Sequence, residues 1–261
     1  MFTVLEVGND TNPEDLARDF SAVWDEAKVV QLKGLKFDSP DEMRDFYDNF
    51  METAGVPGEV GEDATTDQRD SGGQATGQRW TEIRYDPTIP DAYRHSANPQ
   101  PLHTDGSYVP DFPDSAIIYC QAAASNGGET VFLDSDLLLS VMKDEAPELH
   151  RKLTEMDLPH ARSGLRKNVK VIETDNEGAR LSWNYYCVSK DIDEERVELK
   201  EELHNFLQSN EKIRDAMVAV PLEPGEGVIW KDYRVLHGRN GFDPDKPSER
   251  FLWKSAFSAN K

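Results

Sequence analysis

Cysteine is scarce in this 261-residue sequence: Cys120 and Cys187 are its only two, too few for a disulfide framework. Long apolar runs are missing too. The longest, Ala116 to Ala124, is broken by Gln121 and falls far short of the ~18 residues a membrane helix needs. Positive charge is outnumbered, with 29 Lys and Arg against 50 Asp and Glu, a formal net charge of −21. A surface of that sign repels phosphate backbones and anionic headgroups, which sets aside nucleic-acid and membrane-surface roles. Met1 to Glu6 has neither the basic start nor the apolar stretch of a secretory leader. The expected setting is a reducing cytoplasm and the expected partner a small molecule, with a homo-oligomer left open.

What is present reads as one folded domain over residues 1–261. Leu16, Phe20, Val23 and Trp24 share a helical face, and Val29 to Leu32 follow as a short buried strand. Ser39, Pro40, Asp41 and Glu42 supply a cap, a proline at the first helical position and early acids for a second helix through Phe50. Gly55 to Gln78 is rich in Gly, Asp, Thr and Gln, and reads as a linker or as a lid over a ligand. Short strands are expected at Ala116–Gln121, Thr130–Leu133, Val169–Glu173, Arg180–Trp183, Met217–Val220, Val228–Lys231 and Arg250–Phe257. Their number and spacing favour an antiparallel sandwich or barrel, interrupted by helical patterns over Leu137–Met156 and around Leu199, Leu203, Phe206 and Leu207.

His103 and Asp105 stand two residues apart, so an extended backbone would point both side chains to one side. Such a triplet is common on surfaces, and a third ligand decides whether it holds a metal. His237 follows the apolar pair Val235–Leu236 and precedes Gly238, which places it near a strand end. Two imidazoles and a carboxylate on one face of an ion leave three open positions, the arrangement suited to Fe(II), a chelating cosubstrate and O2. Arg250 opens a strand pattern whose alternation puts it on one face with Leu252, Lys254 and Ala256. An inward guanidinium is costly unless it holds an anion, and its fork matches a carboxylate.

Four blocks together, Leu102–Tyr108, Gly127–Thr130, Arg234–Arg239 and Arg250–Leu252, resemble in order and spacing the taurine dioxygenase-like branch of the Fe(II)/2-oxoglutarate dioxygenases, whose members include γ-butyrobetaine hydroxylase. The resemblance implies an α+β fold with a mainly β core, a distorted double-stranded β-helix (jelly roll) with flanking helices and a helical insertion. It implies iron on His103, Asp105 and His237, and 2-oxoglutarate held at its far carboxylate by Thr130 and Arg250. The implied activity is oxidation, by default hydroxylation, of an unactivated C–H bond, with 2-oxoglutarate and O2 consumed and succinate and CO2 released. Desaturation or ring closure starts from the same chemistry. Asp105 argues against halogenation, because related halogenases carry Gly or Ala there. A non-catalytic metal-binding jelly roll is the alternative, although a structural site needs no keto-acid anchor.

For the substrate, Tyr108 is expected near the iron, with Trp183, Tyr185 and Tyr186 as an aromatic group on the inserted region. Lys254 and Arg84 are candidate partners for an anionic group. The segment Tyr93 to Pro99 does not reproduce the aromatic cage of γ-butyrobetaine hydroxylase, so a small polar, amino-acid-like metabolite is expected.

Overall fold

The computed structural model describes residues 1–8, 10–63, 73–89 and 92–260. The chain opens with strand β1 (Phe2–Glu6), helix α1 (Pro13–Trp24), β2 (Val29–Lys33) and α2 (Pro40–Ala54). Both helices start as their sequences dictate. Asn12 accepts from the Asp15 amide and Ser39 from the Glu42 amide, each cap followed by proline and acids that suit the positive helix end.

The remaining strands are β3 (Gly55–Pro57), β4 (Thr81–Arg84), β5 (Gln100–His103), β6 (Ser115–Ala122), β7 (Thr130–Asp134), β8 (Asp157–Arg162), β9 (Leu165–Lys170), β10 (Ile172–Asp175), β11 (Gly178–Leu181), β12 (Val218–Val220), β13 (Gly227–Lys231), β14 (Val235–Arg239) and β15 (Phe251–Ala259). Helices α3 (Ser135–Glu145), α4 (Pro147–Glu155), α5 (Glu194–Ser209) and α6 (Glu211–Ala216) lie between β7 and β12 in sequence. Among the described residues no helix is long and apolar enough to cross a membrane.

Two sheets make a jelly roll. The larger runs β1-β2-β13-β6-β15-β3, with β4 also pairing β15, and the smaller runs β12-β7-β14-β5. Period-2 alternation divides the core into three layers. From β6, Ala116, Ile118 and Cys120 turn inward to meet Phe132, Val228, Trp230 and Val235 between the sheets. Ile117 and Tyr119 turn outward beneath α1 and α2, against Phe20, Tyr47 and Phe50. On the far side of the smaller sheet, Val131, Leu133 and Leu236 bury the insertion's Leu138, Leu149, Leu199 and Leu203.

Three expectations change in detail. Val169–Glu173 is two strands, because β9 pairs with β8 while β10 turns to pair with β11. The strand expected over Arg180–Trp183 ends at Leu181, after which Trp183 exchanges hydrogen bonds with Thr104. At the start of the expected loop, Gly55 to Pro57 pair with β15, and Glu62 and Ala75 form a bridge. Of the segment read as a lid, residues 64–72 lie outside the described residues.

Candidate metal centre

His103 and His237 are direct cross-strand partners in the pairing of β14 with β5, so the sheet itself brings their rings to a centroid distance of 4.2 Å. Gly238 permits the approach: a Cβ there would lie 2.6 Å from the Gln100 carbonyl oxygen on β5. The His103 Nδ1–H donates to the Pro101 carbonyl at 2.9 Å, which turns Nε2 toward the centre.

Asp105 arrives by a different route from the extended one expected. β5 ends at His103, and Asp105 is helical in backbone (φ −78°, ψ −45°) at the head of the turn Gly106–Tyr108. The fully buried Asp232 carboxylate holds that turn by accepting the amides of Asp105 at 3.0 Å and Gly106 at 3.1 Å. Asp105 Oδ1 then stands 3.7 Å from His103 Nε2 and 3.6 Å from His237 Nε2. One donor atom from each of the three residues falls within 4.8 Å of the others.

The electrostatics suit a cation. Burial, with the neighbouring His237, pushes the His103 imidazole down to about 3, so it is neutral and able to ligate. Burial would raise the Asp105 carboxyl, but Lys254, which donates to Oδ1, and the two histidines hold it well below the usual carboxylate range. Asp105 Oδ2 is buried with no hydrogen-bond partner, an orphan that a metal ion satisfies. The donor set fits a divalent ion of the non-haem iron kind, with one face left open.

A cavity of about 180 Å³ opens from this centre and is walled by Thr130, Tyr108, Tyr185, Arg250 and Lys254 among others. Arg250 is 5 % exposed, and burial with the nearby Arg239 lowers its guanidinium to about 9. Its Nε donates to the Gly128 carbonyl at 2.7 Å. The glycine pair of the second sequence block makes room for this: Gly128 sits at φ +76°, and a Cβ there would lie 2.9 Å from Arg250 Cδ.

The other expected site residues divide. Tyr108 and Tyr186 line the cavity. Tyr185 does so while its hydroxyl donates to Glu201 at 2.9 Å and its ring stacks on His204. Trp183 is 1 % exposed inside the insertion's core and is not in the cavity wall. Arg84 is also absent from the wall, because strand parity on β4 points Ile83 inward and leaves Arg84 to pair with Glu82 at 2.8 Å. Lys254 reaches the cavity as an ion-pair partner of Asp105. No sequence pattern marks the Glu62–Arg94 pair (2.7 Å) or Arg162, all in the wall, since each stands in a loop, a short turn or a hairpin end.

Fold and donor set together define the class: a jelly roll with a facial pair of histidines and a carboxylate. The chain belongs to the taurine catabolism dioxygenase TauD, TfdA family, whose profile matches residues 5–255. It is 26 % identical over 170 residues to a gamma-butyrobetaine dioxygenase of Pseudomonas sp. (strain AK-1), covering 62 % of this chain and 44 % of that protein. It is 26 % identical over 152 residues to a trimethyllysine dioxygenase of Meyerozyma guilliermondii, covering 54 % and 38 %. The chain thus spans less than half the length of these relatives. Its fold is shared with PvcB of Pseudomonas aeruginosa (TM-score 0.66, 20 % identity, 99 % of this chain and 86 % of that one). An asparagine oxygenase bound to Fe(II), 2S,3S-3-hydroxyasparagine and succinate also shares it (TM-score 0.65, 15 % identity, 94 % and 79 %).

Proposed function

We propose that the chain, acting as one unit over residues 1–261, is an Fe(II)- and 2-oxoglutarate-dependent oxygenase that hydroxylates an unactivated C–H bond of a small, amino-acid-like metabolite. The observation that carries this reading is a single cavity containing both a His, Asp, His donor set and a buried guanidinium, Arg250, with no carboxylate at ion-pair distance among the described residues. A structural metal site has no use for the second feature.

In this reading His103, Asp105 and His237 hold iron, which when bound supplies the activation of O2. Arg250 and the Thr130 hydroxyl hold the far carboxylate of 2-oxoglutarate, fixing the angle at which its keto-acid end meets the metal. Tyr108 and Tyr185 bound the substrate space, and burial raises the Tyr108 phenol well above its ordinary range, so it acts as a neutral hydroxyl. Lys254 orients Asp105 and offers its charge to the substrate. The ion pair Glu62–Arg94 and the Arg162 side chain give the wall both signs of charge, which supports a substrate carrying an ammonium and a carboxylate.

Protein supplied with Fe(II), ascorbate, O2 and 2-oxoglutarate is expected to form succinate faster when the right member of a panel of amino acids and their N-trimethyl derivatives is added. Product mass separates hydroxylation, a gain of one oxygen, from desaturation or ring closure, a loss of two hydrogens. Failure to form succinate with any candidate, together with failure to bind metal or 2-oxoglutarate, would reject the reading.

A further inference from the structure

A second buried guanidinium faces the same end of the cavity as Arg250. Alternation along β14 puts Val235, His237 and Arg239 on its inner face, so Arg239 follows His237 into the barrel. In the register of β14 it stands opposite Thr130 on β7 and opposite Gln100 on β5, and both neighbours also line the cavity. Arg239 is 4 % exposed. One of its terminal nitrogens donates to the carbonyls of Ser96 and Asn98, which leaves Nε buried with no acceptor.

Neither Arg239 nor Arg250 has a carboxylate at ion-pair distance among the described residues, and the Phe242 ring centre lies 5.5 Å from the Cζ of the first and 6.0 Å from that of the second. Two cations sharing an apolar neighbour and no counter-ion are costly to bury, and an unmet buried donor adds to the cost. Stapling residues 96–98 explains one terminal nitrogen of Arg239. It does not explain an ionised side chain beside Thr130 with Nε unspent.

We propose that Arg239 is a second cationic contact for the far carboxylate of 2-oxoglutarate, so that Arg239 on β14 and Arg250 just before β15 close on that group with the Thr130 hydroxyl between them. The inference rests on the reading of this cavity as a 2-oxoglutarate site. Arg250 spends Nε on Gly128 and keeps its terminal nitrogens for the ligand, whereas Arg239 spends a terminal nitrogen on the backbone and keeps Nε. The two forks therefore approach from different edges, and a carboxylate has enough lone pairs to accept from both and from a hydroxyl. The pair makes the site selective for a diacid over a 2-oxo monoacid.

The test compares two ligands on Mn(II)-loaded protein by calorimetry: 2-oxoglutarate, and 2-oxovalerate, which keeps the 2-oxo acid head and lacks the second carboxylate. Arg239→Gln is expected to weaken 2-oxoglutarate about tenfold or more, the loss of one charge-assisted contact, while leaving 2-oxovalerate and Mn(II) within about twofold. Unchanged 2-oxoglutarate affinity overturns the proposal. So does an equal loss for both acids, which marks Arg239 as a support for residues 96–98 alone. Should the variant not fold, Zn(II)-loaded wild-type protein gives a second readout. The side-chain Nε–H resonance of Arg239, assigned through Arg239→Lys, is expected to move with 2-oxoglutarate and stay with 2-oxovalerate, and a resonance indifferent to both overturns the proposal. Wild-type protein that binds Mn(II) but no 2-oxoglutarate would overturn the underlying reading and the clamp with it.

Discussion

Two parts of the cavity wall are built on different principles. One is the smaller sheet, where β5, β7 and β14 present His103, Thr130, His237 and Arg239 at neighbouring register positions. The other is assembled from the turns around Tyr93, Tyr108 and Tyr185, the end of the β8–β9 hairpin at Arg162, and the segment holding Val60 and Glu62. On the first wall, hydrogen-bonded pairing and period-2 alternation decide which side chains meet, so the set facing the cavity is fixed by backbone geometry. On the second, only packing between distant segments decides, which leaves that wall free to change with substrate.

Removing Arg250, which meets the first wall from the residue before β15, is expected to have the largest effect. Arg250→Ala takes away a buried guanidinium and is expected to weaken 2-oxoglutarate about 100-fold on Mn(II)-loaded protein, by calorimetry, with metal affinity unchanged. If the affinity holds, the anchor is elsewhere and Arg250 loses its assigned role.

Acid probes the support beneath the second wall. His160 on β8 is buried, donates Nδ1–H to the Leu158 carbonyl at 3.0 Å, and accepts from the Asn184 amide of the Tyr185 turn. Burial holds its pKa down at about 4, below the ~6.5 of an unfolded chain. The unfolded state therefore takes up the proton first, so this contribution is complete above about pH 6.5 and lost as pH falls toward 4, about 3 kcal/mol in all. Thermal melts across that window are expected to fall less steeply for His160→Gln; parallel slopes would remove His160 as the cause.

Trp183→Phe sharpens the distinction between core and cavity. It is expected to cost about 1–2 kcal/mol in chemical denaturation, through volume lost from the insertion's core, while 2-oxoglutarate binds as before. A change in cosubstrate affinity without a change in stability would return Trp183 to the cavity wall. Arg84→Ala should matter least: it removes a half-buried pair with Glu82 away from the cavity and is expected to stay within about 0.5 kcal/mol and leave turnover unaltered.

Both opening helices are legible because their caps and apolar faces are local, and β6, β7 and β13 because alternating or continuous apolar runs mark them. His103 and His237 are legible as strand-end imidazoles, and Arg250 as a cation in an apolar strand pattern. Asp105 is legible as a candidate but not in its geometry, because the turn that delivers it is held by Asp232, far away in sequence. Arg84 misleads because alternation reveals parity without saying which parity faces in. Trp183 misleads because an aromatic residue fills a core as readily as it lines a pocket. Arg162 and the Glu62–Arg94 pair leave no periodic trace, since their positions follow from how a hairpin, a loop and a short turn pack together.

His103, Asp105 and His237 are expected to hold one ferrous ion that 2-oxoglutarate then chelates. Anaerobic titration of the wild-type chain with Fe(II) and then 2-oxoglutarate, followed by visible absorption, is the decisive measurement. Saturable binding of a single ion and a new band when the 2-oxo acid is added are expected, both lost in Asp105→Ala. An Asp105→Ala protein that binds Fe(II) and develops the same band as wild type would contradict that assignment.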